Sequence, residues 1–149
     1  MEVRYTYDLA TGEKYADVQG LRTPGVTDSP ITAAVTLKEQ DSGGIWGVDC
    51  DATFAITLPS PTRGRGMEFE FVVTDAGSGT VTIVVSGAAA TFIGFIQIDD
   101  ATVVATGATL TFVASTAVVG DTIIIRSLGD GTYAVKAFAA ASGGITIAA

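Results

Sequence analysis

A polypeptide of 149 residues without a single histidine lacks the commonest general base, the relay of the usual nucleophilic triad and the usual zinc ligand. Its one thiol, Cys50, lies between Asp49 and Asp51. Their charge disfavours the thiolate, which is the reactive form, so Cys50 reads as a structural thiol. Paired carboxylates are the remaining source of acid–base chemistry, at Glu68/Glu70, Asp99/Asp100 and Asp49/Asp51. Glu68 and Glu70 would share one face of a strand about 7 Å apart, a separation compatible with the two acids of a glycosidase. Outward acids on a strand more often protect an exposed sheet edge, and neither a cleft signature nor supporting aromatics accompany these. Asp99, Asp100 and Asp130 offer oxygens to calcium, but without the DxDxDG spacing they read as turn residues. Trp46 could stack on a sugar, although a lone tryptophan in a β domain usually serves the core or an interface. The glycine-rich pieces GRG, GSG and LGDG sit in turns, and none opens a helix that could hold a phosphate. No catalytic, cofactor-binding or metal-binding residue is assigned, no cofactor is expected, and enzyme is the least supported class.

The charge balance narrows the partners. A net charge of −8 and a pI near 4.2 disfavour nucleic acid and anionic membranes, which need clustered Lys and Arg. The eight basic residues are scattered, and only Arg63 and Arg65 stand close together, in a turn. No apolar run reaches the roughly 20 residues of a membrane span. MEVRYTYDLATGEKY has no apolar segment of a signal peptide, so export is not expected. One cysteine cannot form an intrachain disulfide. Charged residues make up 16% of the chain against 48% hydrophobic, sparse beside the usual figure of about 25%. Either other copies or a partner cover part of the surface, or outward threonines stand in for charge.

These residues must be positioned by strands. Residues 1–30 read as an extended arm: Val3, Tyr5 and Tyr7 alternate in one short strand, and no period persists from Tyr15 to Pro30. Residues 31–149 read as one domain. ITAAVTL (31–37) opens it, KEQDSGG (38–44) is a charged turn, and Ile45, Trp46 and Val48 begin the next strand. Phe54, Ile56 and Leu58 share a face. MEFEFVVTDAGSGTVTIVVS (67–86) reads as a β-hairpin, with Met67, Phe69, Phe71 and Val73 inward and Gly77 and Gly79 free to take positive φ in its turn. TFIGFIQI (91–98) is apolar on both faces, the pattern of a strand buried on two sides, and its Gly94 marks a bulge or a close backbone approach. ATVVATGATLTFVAS splits at Gly107, TIIIRS and TYAVKAF flank an Asp-Gly hairpin turn, and Ile145 and Ile147 alternate in the tail. That tail is expected to pair with a sheet of this subunit or of a neighbour. The fold class is all-β, a compact antiparallel β-sandwich or barrel of about ten short strands.

The order of segments from Thr36 to Ile147 resembles a known family. It runs through DSG (41–43), ITLPSP (56–61), GMEFEFVV (66–73), VTIVVSG (81–87), FVASTAVVGDTIIIRSLGDGTYAV (112–135) and GGIT (143–146). This is similar to the head decoration, or cement, proteins of tailed bacteriophages, and related modules occur in phage tail fibres. The resemblance implies a structural virion protein, assembled in the host cytoplasm, that binds the outside of the major capsid shell. It further implies a homotrimer that bridges adjacent capsomers. The alternative is a tail-fibre or receptor-binding accessory domain. Candidate contacts to the shell or to sister subunits are Val3, Tyr5, Tyr7 and Tyr15 of the arm, Trp46, and Ile145 and Ile147 of the tail.

Overall fold

The computed structural model describes residues 29–61, 66–87, 90–98 and 101–148, and the backbone of two strands within 3–18. Those two strands, β1 (Val3–Tyr7) and β2 (Lys14–Val18), pair antiparallel, with Val3 opposite Val18 and Tyr7 opposite Lys14. A second strand therefore lies where the sequence promised only an unpaired arm. The domain follows with β3 (Val35–Thr36), β4 (Gly44–Asp49), β5 (Phe54–Leu58), β6 (Glu68–Asp75) and β7 (Val81–Val85). After these come β8 (Thr91–Ile98), β9 (Ala101–Gly107), β10 (Thr109–Phe112), β11 (Thr122–Ser127), β12 (Thr132–Ala139) and β13 (Ile145–Ala148). The charged turn after β3 contains one 3-10 turn, Glu39–Asp41, closed by the Lys38 N–H donating to the Asp41 carboxylate at 2.7 Å. No helix among the described residues is long and apolar enough to cross a membrane.

Two mixed sheets pack as a sandwich, one ordered β13-β10-β7-β5-β3 and the other β4-β6-β11-β12-β8-β9. The expected antiparallel arrangement is corrected here, because β3/β5, β5/β7, β4/β6 and β8/β12 pair parallel. The cause is the route of the chain. From β3 to β7 each strand crosses to the opposite sheet, so β3/β5, β4/β6 and β5/β7 are two strands apart in sequence and run in the same direction. β12 returns to the six-stranded sheet parallel to β8, four strands earlier. This also overturns the 67–86 hairpin, since β6 lies in the six-stranded sheet and β7 in the five-stranded one. Gly77 and Gly79 are absent from the positive-φ residues. Their role is clearance: a Cβ on Gly77 would collide with Asp51 and the Cys50 carbonyl, and one on Gly79 with the backbone of Ala52. The Gly79 N–H donates to the Cys50 carbonyl at 2.7 Å, fixing this crossing against the end of β4.

Which side of each strand faces inward follows the period of two. Phe69, Phe71 and Val73 of β6, Val81 and Ile83 of β7, and Ile123 and Ile125 of β11 are all buried. Phe92 and Tyr133 stack across the β8/β12 pair with ring centroids 5.8 Å apart. The Tyr133 hydroxyl donates to the Pro59 carbonyl at 2.7 Å, and burial pushes its pKa up to about 12. The Asp-Gly hairpin holds, with β11 and β12 antiparallel and Gly129 and Gly131 at positive φ. Three expectations change. Only Val35–Thr36 of the 31–37 segment is a strand, while Ile31 bridges to Val48 of the other sheet. β8 buries Phe92 and Ile96 on one face only. Glu68 and Glu70 do not protect an edge, because β6 is interior, between β4 and β11.

Candidate interaction surface

The two outer faces of the sandwich differ in kind. On the five-stranded sheet the outward register row is Thr146, Thr111, Thr82 and Ala55, with Thr57 beside Val84 in the next row. Hydroxyl groups hydrate this face without charge. On the six-stranded sheet the central outward row is Glu70, Ile124, Lys136, Phe95 and Val104. The flanking rows add Ala134 with Ile93 and Phe138 with Gln97. Val104 is 82% exposed, Phe138 43% and Ile93 38%. A depression of about 400 Å³ is lined by Ile93, Phe95, Val104, Thr106, Ala134 and Lys136. Ala134 and Lys136 also line an adjoining depression of about 430 Å³ beside Ile124 and Leu128. Apolar side chains thus run from β8 to the β9 edge, and Ala134 and the Lys136 stem separate them from Ile124 of β11.

Charge on this face is sparse. Arg126 donates to Glu68 through Nε at 2.9 Å and through its terminal nitrogen. Glu68 is held in that pair and does not face Glu70 as a free acid. Lys136 makes no ion pair among the described residues, and its register neighbours are Ile124 and Phe95. The surface therefore offers apolar area that a contact could bury.

Other candidate groups have structural roles. Cys50 is buried, and burial followed by the charges of Asp49, Asp121, Asp51 and Asp75 pushes its thiol up to about 11. Asp49, Asp51 and Asp75 bring carboxylate oxygens within 4.8 Å of one another, an arrangement able to bind a hard cation. The Asp49 carboxylate also accepts the Asp51 N–H at 2.9 Å, closing the turn after β4. Asp130 accepts the Thr132 N–H at 3.0 Å, as a turn residue does. Trp46 is half-buried against the core, its indole N–H lacking an acceptor among the described residues. Arg63, Arg65, Asp99 and Asp100 lie outside the described residues, as do the side chains of Val3, Tyr5, Tyr7 and Tyr15.

The tail pairs within its own subunit, one of its two expected partners, and of its candidates Ile145 is corrected. Ile145 is 2% exposed and Ile147 packs on the same core, because β13 pairs with β10 of its own subunit. Ile145 is therefore closed to a neighbour, while Ile147, half-buried on the edge strand, keeps part of its side chain at the surface. The residues that do form the surface, Ile93, Phe95, Val104 and Phe138, were not singled out by the sequence. The one signal that pointed to them was the two-faced apolarity of TFIGFIQI. Also missed was Asp121, a carboxylate 2% exposed that accepts the N–H groups of Val118 at 3.0 Å and Ala140 at 2.8 Å. No protein-family model matches the chain, and no curated protein matches it.

Proposed function

We propose that this chain is a structural virion protein that decorates the outside of a tailed-phage head and reinforces it by adhesion. The observation that supports this reading is the apolar outer face of the six-stranded sheet around Ile93, Phe95, Val104 and Phe138. The resemblance of residues 36–147 to cement proteins supplies the partner, the major capsid protein, and the trimeric arrangement. In this role the binding free energy itself stabilises the shell by mass action, and no chemical step is required. At a free concentration 100-fold above Kd, each bound site adds about 2.7 kcal/mol to the assembled state. The test is cosedimentation with expanded, undecorated phage heads, followed by thermal disruption of the decorated shells. The expected result is saturable binding and a higher disruption temperature. Ile93→Glu combined with Phe138→Glu should abolish both while leaving the fold intact. Heads that sediment without the protein at micromolar concentration would refute the reading.

A further inference from the structure

We propose that β9 is a self-pairing strand: a second copy of this chain adds its own β9, antiparallel, across a two-fold axis at Val104. The two six-stranded sheets then continue into one.

The edges of the two sheets single out this strand. β3 is two residues long. β4 is occupied by Ile31, whose N–H donates to the Gly47 carbonyl at 2.8 Å and whose carbonyl accepts the Asp49 N–H at 3.0 Å. β13 has four residues, and its Ala148 carbonyl accepts the Ala108 N–H at 2.7 Å. β9 has seven residues, ATVVATG, and among the described residues only β8 pairs with it. It carries none of the lysines, prolines or inward charges that keep edge strands apart.

One hydrogen bond and the β8/β9 register fix which backbone groups of β9 are free. Thr91 donates its N–H to Gly131, toward β12, so by alternation Phe92, Gly94 and Ile96 turn theirs toward β9. Their register partners Gly107, Ala105 and Val103 return those bonds. The same alternation leaves Thr102, Val104 and Thr106 with N–H and C=O on the side away from β8. Beyond Gly107 the chain bends into β10, where Ala108 donates to Ala148 of β13.

What fills that edge must be an extended strand, and β9 matches itself. With the axis at Val104, Thr102 faces Thr106 of the second copy, Val104 faces Val104, and Thr106 faces Thr102. All three pairs use the free groups, and all three join β-branched residues, which favour such cross-strand contacts. An isologous contact sets each residue near the axis against its own duplicate. In a chain of net charge −8 that excludes most surface segments, whereas β9 contains no charge. The apolar row Phe95–Val104 also continues unbroken into the second copy. If the chain is trimeric, three such contacts close two trimers face to face into a hexamer.

The test is solution mass by analytical ultracentrifugation and native mass spectrometry, with circular dichroism checking the fold. Wild-type protein should have a mass that is an even multiple of the chain. Val104→Lys and Val104→Glu, at a side chain that is mostly in solvent, should each halve it by raising the dissociation constant about tenfold or more. An equimolar mixture of the two should restore full mass as Lys–Glu pairs. Thr102→Lys with Thr106→Glu should keep full mass, and Thr102→Lys with Thr106→Lys should halve it, which locates the axis. An odd-multiple mass, single variants that leave it unchanged, or a mixture that stays at half mass overturns the proposal. Because none of these measurements involves a phage head, their failure leaves the shell-binding reading standing.

Discussion

Removing the carboxylate of Asp121 should cost this fold more than any other single polar deletion among its described side chains. Asp121 is buried immediately before β11, where its own turn, the end of β6 and the segment after β12 meet. Its side chain accepts the Val118 and Ala140 N–H groups, its own N–H donates to the Val118 carbonyl at 2.9 Å, and its carbonyl accepts the Val73 N–H at 2.9 Å. Gly144 lies so close that a Cβ there would come within 2.9 Å of the carboxylate. Asp121→Ala leaves two donors without their charged acceptor. At about 1.5–3 kcal/mol for each hydrogen bond to a charged group, and taking the lower end for part-buried donors, the loss is about 3 kcal/mol. For a domain of this size that lowers Tm by about 6–12 °C. Asp121→Asn keeps one acceptor oxygen and should lose about half as much. Urea unfolding is readily followed through Trp46, the one tryptophan in the chain. A loss under about 1 kcal/mol for Asp121→Ala, or equal losses for Ala and Asn, would refute the clamp.

Three further outcomes follow from the packing. Gly94→Ala should destabilise by about 3 kcal/mol or prevent folding, because the new methyl group meets the Val135 carbonyl oxygen inside the β8/β12 pair; a normal urea midpoint would refute the close approach. Stability should fall as pH rises from about 9 to 11, since the unfolded chain releases the Cys50 proton near 9.0 while the folded chain holds it to about 11. Tyr133 extends the loss from 10 to about 12, and Cys50→Ala should remove only the lower part of the decline, of roughly 2 kcal/mol, in urea titrations across this range. Arg126→Ala should change stability by less than about 1 kcal/mol in the same assay, because its pair with Glu68 is largely in solvent.

The alternation of apolar residues disclosed which side of each strand faces the core, and the burial of Phe54, Ile56, Leu58, Phe69, Phe71, Ile123 and Ile125 follows it. It did not disclose which strands pair. A glycine-rich turn between two alternating runs looks the same whether the second run pairs with the first or crosses to the other sheet. TDAGSGT therefore reads as a hairpin turn, although Gly77 and Gly79 serve to clear Cys50, Asp51 and Ala52, far earlier in the chain. Asp121 was hidden for a related reason: Gly-Asp before a strand is ordinary turn chemistry, and only the fold brings Ala140 to it. The surface was half legible. TFIGFIQI betrayed its apolarity on both sides, but one sequence cannot distinguish a strand covered by its own chain from one left for a partner.

The low charge of the chain admitted two explanations, threonine in place of charge or surface meant to be covered, and the two faces of the sandwich divide them. The five-stranded sheet turns Thr57, Thr82, Thr111 and Thr146 outward, and hydroxyls keep such a face hydrated without attracting or repelling a neighbour. The six-stranded sheet places Phe95 and Val104 where threonine would serve equally well as a strand former. Strand propensity therefore does not account for them. The proposed adhesion would, because a partly exposed aromatic and its β-branched neighbours contribute only when something removes them from water, at about 25 cal/mol per Å² buried. The proposed contact role would use one face of each kind: the threonine face would stay clean in solvent, and the apolar face, bounded by an uncharged edge, would give direction to assembly.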